Sequence, residues 1–312
     1  MGKTKALTEG AIMLALYMIL FLMTLYIPLL GSLTLFALSL PFVVFSSRRG
    51  WKSGLVLFGA AVIFTMLFGS ILALPSTFLF GLGGIVIGYL YKINRSKFEI
   101  LAAGSIVYIL ILLVIYAIIT TFLKINPVEE AQRAIEQSIN MSREMMESLG
   151  QTINEAQLEQ LQQALEFASL LMPTVIVFVG VFLTFITQLL SSKILSRLGL
   201  QVEKWPPFRS IQLPRSLIWY YLIAMVAMMF PLEQDSMMFL AIFNLFHILQ
   251  LLMILQGLSF IFYYCYHKNL SKGIPITILI LSFLLPFLLY LVRLIGIIDL
   301  GFNLRSRVES KK

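Results

Sequence analysis

Long apolar runs alternate with short polar clusters along the whole chain. A helix that crosses the hydrocarbon core of a bilayer, about 30 Å thick, needs about 20 mostly apolar residues, and the runs approach or exceed that length. The sequence therefore predicts an all-α fold, a polytopic transmembrane helical bundle of eight or nine hydrophobic segments. The nine candidate segments are Thr8–Ile27, Ser32–Phe45, Leu55–Leu74, Phe78–Tyr91, Ile100–Leu123, Leu170–Leu190, Leu217–Leu232, Met237–Tyr264 and Ile274–Ile298.

One polar segment, residues 124–167, interrupts this pattern and is rich in glutamate. Apolar residues such as Ile135 and Ile139 recur in it at helical spacing, and Thr152-Ile-Asn-Glu155 reads as a capping box that opens a second helix. We expect a helical hairpin outside the membrane, acting either as a lid over a pocket or as a solvated extension. The predicted organisation is five spans in residues 1–123, the acidic hairpin in 124–167, and four segments in 168–312.

Composition supports a lipid environment, because 59% of the residues are hydrophobic, only 12% are charged, and the mean hydropathy is +0.93. The net charge of +8 comes mainly from lysines and arginines at segment ends, including a basic loop near 191–216. This distribution predicts a multi-pass protein of the bacterial cytoplasmic membrane with a cytoplasmic N-terminus, whose partner is the lipid bilayer and not nucleic acid.

One charge cluster conflicts with nine full crossings. Nine crossings would place the C-terminus outside, yet this tail carries Arg305, Arg307, Lys311 and Lys312. Eight crossings are the alternative, with the seventh or the ninth segment failing to cross the bilayer completely.

Polar residues inside predicted spans are candidates for a substrate cavity, since burying them in lipid is costly. Asn244, His247 and Gln250 lie along one flank of the eighth segment, and Gln256 follows them. Arg293, in the ninth segment, could neutralise an anionic ligand or pair with Asp299. The alternative for the polar residues of the eighth segment is that they hydrogen-bond between helices as packing contacts.

Small residues also form two stripes. Ala11 and Ala15 share one face of the first segment, and Gly81, Gly84 and Gly88 share one face of the fourth. Small residues let helices approach closely, so each stripe is a candidate for packing inside the chain or for docking a partner subunit.

Catalytic and cofactor chemistry has little support in the sequence. The single cysteine, Cys265, excludes an internal disulfide, and no histidine has ligand-like spacing to a carboxylate, so neither a metal site nor a cofactor is expected. HExxH, GxSxG and phosphate-loop motifs are absent from the sequence. We expect a protein that is not an enzyme.

Four stretches resemble a known family: Thr8-Glu9-Gly10-Ala11, Leu213-Pro214, Leu255-Gln256-Gly257-Leu258 and the closing segment from Gly296 to Arg305. Together they resemble the YybS family of bacterial integral membrane proteins, which is defined by a domain of unknown function. This resemblance extends over nearly the whole chain, but none of its motifs is a catalytic fingerprint.

The first six segments are also similar to the substrate-binding S components of energy-coupling-factor transporters. That resemblance implies docking through Ala11 and Ala15 onto a coupling subunit that works with ATPases. The acidic insert and the three C-terminal segments depart from this six-helix plan. The leading functional hypothesis is a transporter-like subunit that binds a small molecule; the alternative is a membrane scaffold or signalling partner without a substrate.

Overall fold

A computed structural model of the chain describes residues 2–148, 160, 164, 167–233 and 236–309. The regular structure in these residues is helical, and they contain no strand. The α-helices are α1 (Gly2–Tyr26), α2 (Pro28–Thr34), α3 (Leu40–Arg49), α4 (Trp51–Phe68), α5 (Leu74–Lys92), α6 (Lys97–Phe122), α7 (Pro127–Ser148), α8 (Met172–Arg197), α9 (Ser216–Ala227), α10 (Met237–His267), α11 (Gly273–Leu284), α12 (Pro286–Phe302) and α13 (Leu304–Glu309).

Seven stretches of the described chain are helical, long and apolar enough to cross a membrane. They are Thr4–Tyr26, Leu29–Arg49, Trp51–Phe68, Ile71–Lys92, Lys97–Phe122, Met172–Arg197 and Met237–His267. The apolar helices α9 and α11 are shorter, with 12 residues each. The chain is therefore a polytopic helical membrane protein, as its hydropathy pattern predicts.

Several segment boundaries differ from the prediction. The second span is not one helix, because a 3-10 turn at Leu35–Ala37 separates α2 from α3. The third ends at Phe68, six residues early, since Gly69 and Ser70 leave the helical conformation. The seventh ends at Ala227 and is followed by irregular backbone.

The acidic insert begins with a helix, α7, whose charged and apolar residues are segregated onto different faces. This confirms the first helix of the expected hairpin. The second helix, with the capping box Thr152–Glu155, lies outside the described residues.

The chain divides into two compact units. The six-span unit comprises Met1–Gln160 with Val175–Lys204, and the C-terminal unit comprises Leu161–Thr174 with Trp205–Lys312.

In the six-span unit, α5 packs against α3 through its glycine stripe. A methyl group on Gly84 would lie 2.7 Å from the backbone oxygen of Ser39, and one on Gly88 would strike the oxygen of Val43. Only residues without a side chain permit this approach, so the stripe is used for packing within the unit.

An ion cluster joins α1 to the end of α3 in the same unit. The carboxylate of Glu9 accepts hydrogen bonds from Arg48 and, at 2.8 Å, from Nε of Arg49. Glu9 therefore contributes more than a favourable charge at a helix N-terminus: it ties the first span to the basic end of the second.

In the C-terminal unit, the long helix α10 packs against α12. Gly296 meets Met253, and Gly257, one turn further along α10, meets Val292, one turn earlier on α12. Partners advance in opposite directions along the two helices, so α10 and α12 run antiparallel.

The ninth apolar segment is broken into two helices. It begins as α11 next to the C-terminal end of α10, breaks at Leu285, and continues as α12, which packs antiparallel to α10. Pro286 starts α12, where its missing amide proton leaves no donor unsatisfied. The choice between eight and nine full crossings stays a prediction.

Candidate functional site

Asp299 on α12 lies at the centre of a buried polar network in the C-terminal unit. The residue is 0% exposed, and its Oδ2 accepts a hydrogen bond from Nε2 of Gln256 at 2.6 Å. Nε of Arg305 donates to the same oxygen at 3.2 Å. A buried carboxylate needs a nearby cation, which Arg305 supplies through Oδ2, whereas Oδ1 has no hydrogen-bond partner among the described residues.

The guanidinium of Arg305 extends this network to the segment before α9. Its Nη1 donates to the carbonyl oxygen of Arg209 at 3.1 Å, and its Nη2 donates to that of Ile211 at 2.8 Å and to Oγ of Ser259 at 3.0 Å. Asn303, in the left-handed region at φ 49°, ends α12 and turns the chain so that Arg305 reaches back to Asp299.

Gln256 completes the connection between α10, α12 and the start of α9. While its amide nitrogen binds Asp299, its Oε1 accepts a hydrogen bond from the amide of Leu213 at 2.9 Å. Both polar atoms of this fully buried side chain are thus hydrogen-bonded inside the unit. This agrees with the alternative that Gln256 is a packing contact and not a residue that faces an open cavity.

Asn244 forms a second buried polar contact in the C-terminal unit. Its Oδ1 accepts hydrogen bonds from the amide of Thr174 at 3.0 Å and from the Thr174 hydroxyl at 2.7 Å. Its Nδ2 donates to the carbonyl oxygens of Leu170 and Leu240, both at 2.9 Å. Asn244 therefore connects α10 to Leu170 and to Thr174 in the first turn of α8, all within the C-terminal unit.

The other three candidates on α10 and α12 are less enclosed. His247 bonds through Nδ1 to the carbonyl oxygen of Phe243 at 2.8 Å and is surrounded by aromatic rings. Gln250 is half-buried. Arg293 lies over the ring of Tyr290 at 4.9 Å. Asp299 pairs with Arg305, so of the two roles considered for Arg293 the pair with Asp299 is not formed.

The two stripes of small residues differ in exposure. Gly81, Gly84 and Gly88 are buried in the six-span unit, whereas Ala11 and Ala15 lie on an exposed face of α1. Only the alanine pair thus remains accessible within its unit to lipid or to another subunit.

A third polar cluster, which the sequence analysis did not single out, lies inside the six-span unit. The buried face of α8 carries small and polar residues, including Thr184, Thr187, Gln188 and Ser191. The Thr187 hydroxyl is 3.2 Å from that of Ser39 and 3.3 Å from that of Tyr108. Their spacing along one helical face was the sequence signal that could have revealed them.

Gln188 differs from its neighbours in this cluster. Its side chain is 0% exposed, and neither Oε1 nor Nε2 has a hydrogen-bond partner within the described part of the chain. Buried amides are normally paired, so Gln188 is an unusual polar group in the interior of the unit.

Comparison with known proteins identifies the family. Residues 15–300 match the family described as "Predicted membrane protein (DUF2232)". The chain belongs to this family. It is also 32% identical, over 310 residues, to the "Uncharacterized protein YybS" of Bacillus subtilis (strain 168), a match that covers 99% of this chain and all of the relative. No solved structure gives a significant match.

This membership confirms the resemblance to the YybS family. Three stretches that carried it, around Leu213, Gln256 and Asp299–Arg305, come together in the buried network of the C-terminal unit. Neither match concerns transporter S components, so that second resemblance stays a hypothesis.

Proposed function

We propose that the chain is a transporter-like subunit of the bacterial cytoplasmic membrane, with its N-terminus in the cytoplasm, that binds a small molecule inside the six-span unit. In this proposal it has no enzymatic activity and receives energy from a separate coupling subunit and ATPases. The observation that carries the proposal is the buried, unpaired side chain of Gln188.

An unpaired amide inside a membrane bundle is costly, because lipid offers it no hydrogen bond. Such polar groups are retained in spans mainly where they serve a ligand, an ion path or a partner. The hydroxyls of Thr187, Ser39 and Tyr108 in the same unit supply further donors and acceptors. A small polar molecule that pairs with the Gln188 amide would recover this cost.

Docking of the coupling subunit is proposed at Ala11 and Ala15. Both are exposed on α1, while the glycine stripe of α5 is already occupied by α3 and α4. A face of small side chains lets a partner helix approach closely in lipid, where packing is a main source of association energy.

Binding is tested with Gln188→Leu. The protein is purified in mild detergent, and the extract is analysed by mass spectrometry for co-purifying small molecules. We expect the parent chain to carry a molecule that Q188L lacks. The empty variant should be at least as stable as the parent, because leucine removes an unpaired polar group. An empty parent protein, or equal retention by Q188L, would count against the binding site.

Docking is tested separately with the double variant Ala11→Leu, Ala15→Leu. Ala102→Leu on α6 is the matched control, because Ala102 is also an exposed alanine of a span. We expect the double variant to fold normally and to lose co-purifying coupling and ATPase subunits, while A102L retains them. Absence of such subunits from the parent preparation would overturn this part of the proposal.

The second candidate is a membrane scaffold or signalling partner without a substrate. It is favoured by Asn244 and Gln256, whose amides are hydrogen-bonded within the chain. Recovery of envelope or signalling proteins with a protein free of small molecules would support it.

A further inference from the structure

A cavity of about 470 Å³ lies next to the Arg305 network in the C-terminal unit. Small-molecule sites commonly range from about 300 to 1,000 Å³. Its walls include Arg209, Tyr263, Tyr266, Asn303 and Arg305, and none of the described residues that line it carries a carboxylate. The cavity is therefore large enough for a small charged group and lacks an anion of its own.

Its two arginines contribute differently to the charge. Arg305 is neutralised from the buried side by Asp299. Arg209 forms no ion pair with a carboxylate of the described residues, so its positive charge remains available in the cavity. An anion that enters the cavity therefore meets the uncompensated guanidinium of Arg209 beside that of Arg305, which Asp299 holds in place.

Both guanidinium groups are positioned before any ligand arrives. Arg209 stacks on Tyr266, with Cζ 3.7 Å from the ring centroid, and Arg305 lies 5.1 Å from the centroid of Tyr263. Stacking on a ring fixes the guanidinium plane of Arg209 while its edges stay able to donate hydrogen bonds. All three nitrogens of Arg305 already donate within the chain, so its guanidinium is held more firmly. The backbone oxygen of Arg209 also accepts from Arg305, so the two residues are held together.

We propose that this cavity binds a phosphate group. A guanidinium edge matches phosphate oxygens in a bidentate geometry, and the side-chain amides of Gln212 and Asn303 add donors from other walls. A phosphate presents several strong acceptor oxygens and can use donors that converge from several directions. This site is separate from the small-molecule site proposed in the six-span unit and does not depend on it.

The phosphate group has two possible sources. The cavity lies at the end of α10 that carries Tyr264, Tyr266, Lys268 and Lys272, a composition typical of the cytoplasmic membrane interface. Anionic lipid headgroups and soluble phosphate compounds both occur there. The experiment therefore has one arm for each source.

The protein is reconstituted in nanodiscs of phosphatidylcholine alone or with one-third phosphatidylglycerol, and thermal unfolding is followed. Inorganic phosphate is titrated against the phosphatidylcholine discs. Stabilisation by phosphatidylglycerol identifies a lipid headgroup, whereas saturable stabilisation by phosphate identifies a soluble ligand. Arg209→Gln should weaken the apparent affinity for the phosphate group roughly tenfold, because it removes a charged hydrogen-bond donor.

Two further variants keep the result interpretable. Arg215→Gln removes the same charge from an exposed position in the same segment, outside the cavity lining, and should leave binding unchanged. Asn303→Gly removes a cavity amide at a left-handed position that glycine adopts readily, so it should fold normally and bind less tightly. Equal effects of R209Q and R215Q, or no stabilisation in either arm, would overturn the proposal.

Discussion

Gly257 on α10 and Gly296 on α12 bring the backbones of two helices into direct contact. A methyl group on Gly257 would strike the carbonyl oxygen of Val292, and one on Gly296 would strike that of Met253. Since both obstacles are backbone atoms of a helix, neither can move aside as a side chain would. This close approach lets Gln256 reach Asp299.

We expect Gly257→Ala and Gly296→Ala each to destabilise the protein, by about 1–3 kcal/mol from overpacking. Thermal unfolding of the purified protein in detergent measures the change. Gly59→Ala on α4 is the matched control, because nothing lies within 4 Å of its added methyl group. G59A should be neutral or slightly stabilising, since alanine is the better helix former. Comparable destabilisation by all three substitutions would contradict the packing argument.

Asp299→Asn should be among the most damaging single substitutions in the C-terminal unit. It leaves the buried Arg305 cation without its counter-charge, which costs about 3–5 kcal/mol when one partner of a buried pair is lost. Unfolding and expression level report the loss. The pair Asp299→Asn with Arg305→Gln should recover part of it, while Arg293→Gln should have a small effect. If R293Q proved as costly as D299N, the assigned ion pair would be wrong.

Asn244→Leu should destabilise the protein by about 1–3 kcal/mol, because the Thr174 amide and hydroxyl lose their buried acceptor. Gln250→Leu is the control on the same helix, since Gln250 is half-buried and makes no hydrogen bond within the described residues. Differential scanning fluorimetry distinguishes the two variants. A stable N244L protein that has lost a bound ligand would instead indicate that Asn244 belongs to a substrate cavity.

Because both ends of the ninth segment carry basic residues, we expect them to be accessible from one side of the membrane. The only native cysteine, Cys265, is buried and can be replaced by alanine before single cysteines are introduced. We expect Lys272→Cys and Arg307→Cys to react with a membrane-impermeant maleimide in inside-out vesicles and to be protected in intact cells. Opposite accessibility of the two positions would mean that the ninth segment crosses the bilayer.

Much of the architecture follows from the sequence because lipid imposes a simple rule: each crossing needs a long apolar helix. The places where the segments break are harder to predict. Pro286 indicates a kink, but the direction in which α12 continues depends on its contacts with α10. Likewise, Leu35–Ala37 is apolar and gives no composition signal for its 3-10 turn.

The candidate sites were predicted less completely than the fold. Intramembrane polarity correctly drew attention to Asn244 and Gln256, but their partners Thr174 and Asp299 lie 70 and 43 residues away along the chain. The sequence did not reveal Arg305 as the partner of Asp299, because their short separation suggests that both lie on one continuous helix. The turn at Asn303 instead changes the direction of the chain between them. Such pairings depend on tertiary geometry that local patterns do not contain.

The break between α11 and α12 also determines which medium suits the surface of the C-terminal unit. With 12 residues, α11 rises about 18 Å, well short of a hydrocarbon core of about 30 Å, so α11 alone cannot cross it. The break carries the exposed side chains of Leu284, Leu285 and Phe287. Lipid, and not water, is therefore the medium that can cover this joint without a hydrophobic penalty.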